Sequence, residues 1–294
     1  MIPLALVIAV ADARAATPGR GRMVAIHTSY SAWNGATRAL RIAYPADSDW
    51  QAAGRRLPLV IAVHGAAGEA RCDESFGRAP LRFGFVVACL EGQGTATTSF
   101  SYGAPGQIRD QLRVPDLVQA RLPNLPLDRS RVIIAGSSMG GLEALLAADA
   151  DPSAFAVVVA LDAPVDLAAH YRRVAPPTGA NLKSRAMVAE CGGPPAVAFA
   201  CFHERSPLRQ LDRFGPSSVP LVMWWSRYDR IAGSPDGSPA YIAALQERYP
   251  AHPIYARVGV WQHGRGLWSH GRLWLRDALA LARANPQRGA SEFG

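Results

Sequence analysis

After its N-terminal segment the chain has no apolar run near the roughly 18 residues that a membrane helix needs, so no integral membrane segment is expected in the mature protein. No two of its four cysteines are spaced Cys-x-x-Cys, which removes support for zinc or thioredoxin-type chemistry. No run of five like charges occurs, and the positive charge, nearly all of it arginine, is scattered. A nucleic-acid partner is therefore not expected, and the formal net charge of +8 reads as a solvated basic surface that could still attract anionic substrates. Internal repeats and low-complexity tracts are also missing. No cluster of His, Cys, Asp and Glu has ligand spacing, so neither metal nor organic cofactor is expected.

What is present suits one α/β domain. Hydrophobic residues make up 49% of the 294 and charged residues 18%, enough to bury a core without staples. Ile2 to Val10 are almost wholly apolar and lead into Ala11-Asp12-Ala13 and Ala13-Arg14-Ala15, both small-x-small. Residues 1–16 thus read as a secretory signal without its basic lead, with a buried strand or helix as the alternative. The catalytic domain would span 17–288, and 289–294 read as a tail or cloning scar. An exported chain would be secreted or periplasmic and could form two disulfides from Cys72, Cys89, Cys191 and Cys201 in three connectivities. Cys191 with Cys201 is the easiest pair to imagine. Cys89, inside an apolar strand, reads nearly as well as a buried free thiol.

Short continuous apolar runs alternate with helical patterns. Strands are expected at Thr37–Tyr44, Leu59–Val63, Phe85–Leu90, Val132–Ala135, Phe155–Leu161, Val219–Trp225 and Ile254–Val260. Runs of this kind, bounded by Gly or polar residues, are what strands buried on both faces look like. Helices are expected at Ile108–Leu122, Gly140–Ala150, Pro239–Arg248 and Ser269–Ala284, with Pro115 shortening or kinking the first. The alternation implies an α/β fold, a mostly parallel sheet with helices on both faces. Residues 163–217 break the pattern. They are long, rich in Pro and Gly and weakly periodic, and read as an inserted cap or lid.

The strongest chemical signal is Gly136-Ser137-Ser138-Met139-Gly140-Gly141, a G-x-S-x-G pattern centred on Ser138. It follows an apolar strand and opens a small-residue helix, the strand-turn-helix setting of a nucleophile elbow. A serine hydroxyl needs a base, and the base an orienting acid. In chain order the acid comes next, at a strand end. Asp229 is preferred, with Asp162 and Asp236 as alternatives. The base should follow the last strand. His263 is preferred over His270, and His252 lies at the wrong end of its strand. His64-Gly65-Ala66-Ala67-Gly68 follows an early strand, where a loop supplies the second oxyanion donor, so the backbone N–H groups of Ala66 and Met139 are the expected pair. His64 itself reads as a structural histidine beneath that loop.

The order His64-Gly65, Ser138 in its glycine frame, Asp229, His263 resembles the α/β-hydrolases. Ser226-Arg227-Tyr228-Asp229-Arg230 and Trp261-Gln262-His263 make it most similar to the catalytic domains of the prolyl oligopeptidase and secreted esterase branches. The resemblance covers roughly residues 55–285 and implies an α/β-hydrolase fold. These residues leave no room for the propeller that prolyl oligopeptidases carry, which weakens a peptidase reading. Secreted polyester hydrolases share the look of Ser138-Met139-Gly140-Gly141. The loop after His64-Gly65 has no aromatic at its first positions, which argues against a polymer substrate.

These features lead to a serine hydrolase cleaving small-molecule carboxylic esters through an acyl-enzyme. A serine peptidase of the prolyl oligopeptidase-like type is the alternative, with Glu91 or Glu190 as candidates to hold a free amino terminus. A non-catalytic binding protein on the same fold is the third reading. Trp224, Trp225, Trp261 and Trp268 are candidate aromatic walls, or simply core and rim packing.

Overall fold

The continuous apolar runs become the strands of one eight-stranded sheet in the computed structural model, which describes residues 21–46, 54–95, 97–175, 181–233, 237–264 and 273–287. The expected signal (1–16) and tail (289–294), with Asp236, Trp268 and His270, lie outside the described residues. The strands are β1 (Met23–Ser31), β2 (Thr37–Pro45), β3 (Leu57–Val63), β4 (Val86–Leu90), β5 (Leu127–Ser137), β6 (Val157–Leu161), β7 (Leu221–Ser226) and β8 (Ile254–Gly259). Their spatial order is β1-β2-β4-β3-β5-β6-β7-β8. The pairings β1 with β2 and β2 with β4 are antiparallel, and the others are parallel.

The described helices are α1 (Cys72–Phe76), α2 (Ala79–Phe83), α3 (Pro105–Arg121), α4 (Met139–Ala150), α5 (Leu167–Val174), α6 (Leu182–Cys191), α7 (Phe199–Glu204), α8 (Ser238–Arg248) and α9 (Leu273–Ala284). The period-2 alternation of the strands divides the core in two. Leu59 and Ile61 of β3 join α3, α4 and α8 on one face, while Val60 joins α1, α2 and α9 on the other. Helix α4 is mostly apolar and ten of its twelve residues are buried, among them the charged Glu143, as suits a helix enclosed by other elements. Leu142 and Leu145 are fully buried there, and truncating either to alanine should cost about 2–5 kcal/mol.

Several elements differ from the sequence expectation. Strand β1 pairs along the sheet edge although its side chains mix polar and apolar residues. Helices α1 and α2 have five residues each, too few to show a period. Helix α3 begins at Pro105, where proline's missing N–H costs nothing, and continues through a buried Pro115 instead of stopping there. A 3-10 turn at Pro152–Ala154, capped by the Asp151 side chain, delays β6 to Val157. Segment 163–217 is more ordered than its composition suggests, with α5, α6, α7 and a 3-10 turn at Pro207–Arg209. Cys89 is not a free thiol, because Cys72 bonds to Cys89 and Cys191 to Cys201. Among the described residues no helix is long and apolar enough to cross a membrane.

Parallel register gathers the chemistry. Val63 pairs with Gly136, Ser137 with Leu161, and Leu161 with Trp224. The strands β3, β5, β6 and β7 therefore end at one edge of the sheet, the edge where ligands bind in open α/β folds.

Candidate active site

Ser138 stands at the junction of β5 and α4 with φ +57° and ψ −125°, outside the regions a non-glycine residue ordinarily occupies. Two glycines make the turn possible. A Cβ at Gly136 would collide with the Gly140 carbonyl, and one at Gly140 with the Val63 carbonyl. The turn is locked from below by the Ser138 N–H, which donates to the Leu161 carbonyl at 2.8 Å, and from above by the N–H groups of Gly141 and Leu142 on the Ser138 carbonyl.

His263 follows β8, and its Nε2 lies 2.8 Å from the Ser138 hydroxyl oxygen. Its Nδ1 lies 2.7 Å from Asp229 Oδ2. A carboxylate only accepts, so the Nδ1–H donates to Asp229 and Nε2 is left to accept the serine proton. The other Asp229 oxygen takes the N–H groups of Ile231 and Ala232 at 2.8 and 3.0 Å. Burial pushes the Asp229 carboxyl up, but the hydrogen bonds and charge of His263, with those two backbone donors, outweigh it and hold the group below its ordinary value.

Asp162, weighed in the sequence as a second acid, does not reach the histidine. It sits after β6 with φ +45° and is fully buried. Its Oδ1 takes the Ser226 N–H at 2.9 Å, and its Oδ2 takes the Trp261 indole N–H at 2.9 Å and the Gly264 N–H at 3.0 Å. It thus grips the chain on both sides of His263. Burial raises the Asp162 carboxyl. Its three donors oppose that rise, and the neighbouring Asp229 charge adds to it.

Asp162, Asp229 and His263 bring one oxygen or nitrogen each within 4.8 Å of one another, a grouping the sequence spacing did not reveal. Each carboxylate oxygen of the group already accepts an N–H. Asp229 commits its oxygens to His263, Ile231 and Ala232, and Asp162 holds the chain around His263, a donor set that does not favour a cation.

The loop after β3 presses on the elbow: a Cβ at Gly65 would lie 3.3 Å from the Ser137 carbonyl and 3.6 Å from Ser138 Cβ. Ala67 takes φ +63° and donates its N–H to the Ser99 carbonyl at 3.1 Å, whereas the Ala66 N–H makes no hydrogen bond among the described residues. Met139 is the first residue of α4, where an N–H has no acceptor within its helix. The His64 Nδ1–H donates to the Gly65 carbonyl at 3.0 Å, bracing the loop.

Beside Ser138 and His263 lies a cavity of about 600 Å³. Its lining includes His64, Glu69, Arg71, Lys183, Trp274 and the paired Cys72 and Cys89. Among the described residues its aromatic side chains are Phe76 of α1 and Trp274 of α9, and Trp224, Trp225 and Trp261 do not line it. Trp224 is buried under the Arg257 guanidinium, and the Trp261 indole is held by Asp162. Glu91 and Glu190 do not line this cavity. Glu91 accepts the Ala39 N–H at 2.9 Å, and Glu190 is held by Thr95 and Arg205. Lys183 and Trp274 went unnoticed in the sequence, since they come from elements far from the motif.

The sheet order and the elbow at its central strand end define an α/β-hydrolase. Solved structures agree. Acylaminoacyl peptidase from Pyrococcus horikoshii superposes with a TM-score of 0.67 at 13% identity, over 92% of this chain and 43% of its own. A puromycin-hydrolyzing peptidase of Mycobacterium tuberculosis gives 0.68 at 18% identity, over 89% and 39%. A thermostable esterase from Pseudomonas putida gives 0.60 at 19%, over 89% and 81%. At these identities the likeness is one of fold, and the chain spans only about two fifths of the length of the two peptidases. No curated protein matches the chain. The family model described as "Putative esterase" matches residues 107–264, more than half of the chain, and the chain belongs to this esterase family.

Proposed function

We propose that the protein is a serine hydrolase that cleaves small carboxylic esters through an acyl-enzyme. Ser138 attacks the ester carbonyl. His263 takes the serine proton and then delivers it to the departing alcohol. Asp229 fixes the imidazole tautomer and stabilises its charged form. The Ala66 and Met139 N–H groups receive the oxyanion. Water then repeats the sequence on the acyl-enzyme and frees the acid.

The single observation that carries this reading is the continuous relay from Asp229 through His263 to Ser138, with contacts of 2.7 and 2.8 Å, opening on a cavity. An ester is favoured over a peptide because the two carboxylates considered for an amino terminus are engaged elsewhere. Segment 163–217 would serve as the cap, since its Lys183 lines the cavity. The two disulfides support an oxidising compartment outside the cytoplasm.

The test is hydrolysis of p-nitrophenyl acetate through decanoate beside Ser138→Ala, with fluorophosphonate labelling of both proteins. Turnover and labelling that vanish in the variant support the reading, and a chain-length optimum sizes the acyl pocket. Labelling with cleavage of aminoacyl substrates alone would make the protein a peptidase. No labelling would leave the fold without this chemistry.

A further inference from the structure

Of the 31 lysines and arginines in the chain, 30 are arginine and one is lysine, Lys183. That one lysine lines the cavity that holds Ser138 and His263. It stands in the first turn of α6, behind an Asn181 cap whose side chain accepts the Ser184 N–H. The helix is tied down at its other end by the Cys191–Cys201 disulfide and by the ion pair of Glu190 with Arg205. The backbone carrying Lys183 is therefore held at both ends.

The charge of Lys183 is unmatched. Among the described residues none forms an ion pair or hydrogen bond with it. The other cation of the cavity lining is Arg71, and its charge is met by Glu69 at 2.7 Å and Glu74 at 3.8 Å. Glu69, the acidic side chain of the lining, is spent in that pair. Lys183, half-buried, thus carries the one unbalanced side-chain charge among the described residues of the cavity wall. Its field is felt nearby, where it helps to keep the buried His170 imidazole neutral. A lysine is a compact point charge on a flexible stem, able to follow a ligand that differs in length by a bond or two.

We propose that Lys183 binds a carboxylate on the substrate, so that the preferred esters carry a negative charge a few bonds from the scissile carbonyl. This rests on the ester-hydrolase reading above and names its substrate class. The net charge of +8 favours the encounter with such anions.

The experiment has two arms. The first compares kcat/KM for mono-p-nitrophenyl glutarate with that for p-nitrophenyl butyrate, and for 4-acetoxybenzoate with that for 4-acetoxybenzamide. The first pair places the carboxylate on the acyl side and the second on the leaving group. In wild type the anionic member of at least one pair is preferred. In Lys183→Met that anionic-to-neutral ratio falls by roughly 10- to 100-fold, the range a charged hydrogen bond supplies. Lys183→Arg retains most of it, and Lys183→Glu inverts it. Ratios that are the same in wild type and Lys183→Met for both pairs overturn the proposal.

The second arm does not need turnover. Lys183 carries the single ε-amine of the chain, so its acetylation by an amine-reactive ester can be followed by peptide mass spectrometry. Glutarate should slow that acetylation, whereas butyramide should not. If wild type cleaves no ester at all, the hydrolase reading fails and this arm decides alone. Protection by glutarate then keeps Lys183 as a carboxylate site, and no protection overturns it.

Discussion

The Asp162 carboxylate accepts the Trp261 indole N–H at 2.9 Å. The same oxygen takes the Gly264 N–H at 3.0 Å, so one buried acid holds the chain two residues before His263 and one residue after it. Asp162 is a positioning residue in this arrangement, because it reaches no group of the Ser138 relay directly. Asp162→Asn leaves an amide N–H facing donors. It should lower kcat by roughly 10- to 100-fold, the scale of a misplacement near 1 Å, with KM changing much less. Steady-state kinetics beside a thermal melt check this, and equal losses in kcat/KM and folded fraction would make the role purely structural.

The raised Asp162 carboxyl also has a signed pH consequence. The folded protein takes up this proton at higher pH than the unfolded chain does. Acidification through that range therefore adds stability from this group while weakening its hold on Trp261 and Gly264. Activity should begin to fall on the acid side while the protein remains folded, and circular dichroism recorded alongside the rate profile checks it.

Asp229→Asn should preserve the fold and lower kcat by roughly 10⁴-fold, since an amide does not hold the imidazole in the tautomer that leaves Nε2 free. Fluorophosphonate labelling should slow in parallel, because it draws on the same activated hydroxyl. Undiminished labelling in this variant would mean that the Ser138 hydroxyl is activated without the acid.

His170 gives a stability prediction. Its ring is buried and stacks beside Tyr102 at 5.9 Å, and its Nδ1–H donates to the Ile231 carbonyl at 3.2 Å. Burial, reinforced by the charges of Lys183, His263 and Arg173, pushes the imidazole down to about 4. The unfolded chain therefore binds a proton that the folded chain refuses. Stability from this site is full above the ordinary histidine range and is lost as pH falls from about 6.5 toward 4. Urea unfolding at pH 7 and pH 5 should show a smaller pH penalty in His170→Gln than in wild type.

The Cys191–Cys201 bond closes a loop of ten residues around the turn between α6 and α7. Replacing both with serine should cost about 2–3 kcal/mol, the scale of such a short loop. Denaturant unfolding without reductant measures this, and dithiothreitol should cost wild type more than it costs the double-serine variant, because in the variant only Cys72–Cys89 is left to open.

The Ser138 turn was legible in the sequence because it tolerates so few residues. Gly136 and Gly140 stand where any Cβ would strike backbone, and that constraint is written into the motif itself. The sheet was legible because strands covered on both faces need unbroken apolar runs, as in Val157–Leu161. Strand β1 escaped notice for the opposite reason, being an edge strand with half its side chains in water. The role of Asp162 could not be read. Its place at a strand end suits an acid or a brace equally, and only the folding of Trp261 and Gly264 against it separates the two. Lys183 and Trp274 were illegible as cavity residues because long-range packing brings them there, although the solitude of a single lysine among arginines was visible from the start.

The placement of the relay across the sheet sets the order in which the site would come apart. Ser138 joins β5, which has a partner on each side, to the enclosed helix α4. His263 follows β8, which among the described residues is an edge strand paired only with β7, with four of its six residues exposed. Fraying begins where few buried contacts resist it. Under mild denaturant or heat His263 should therefore drift away while the serine turn still stands, so any activity that depends on the proposed relay would fail before the fold, and cooling would restore it without any need to refold the centre.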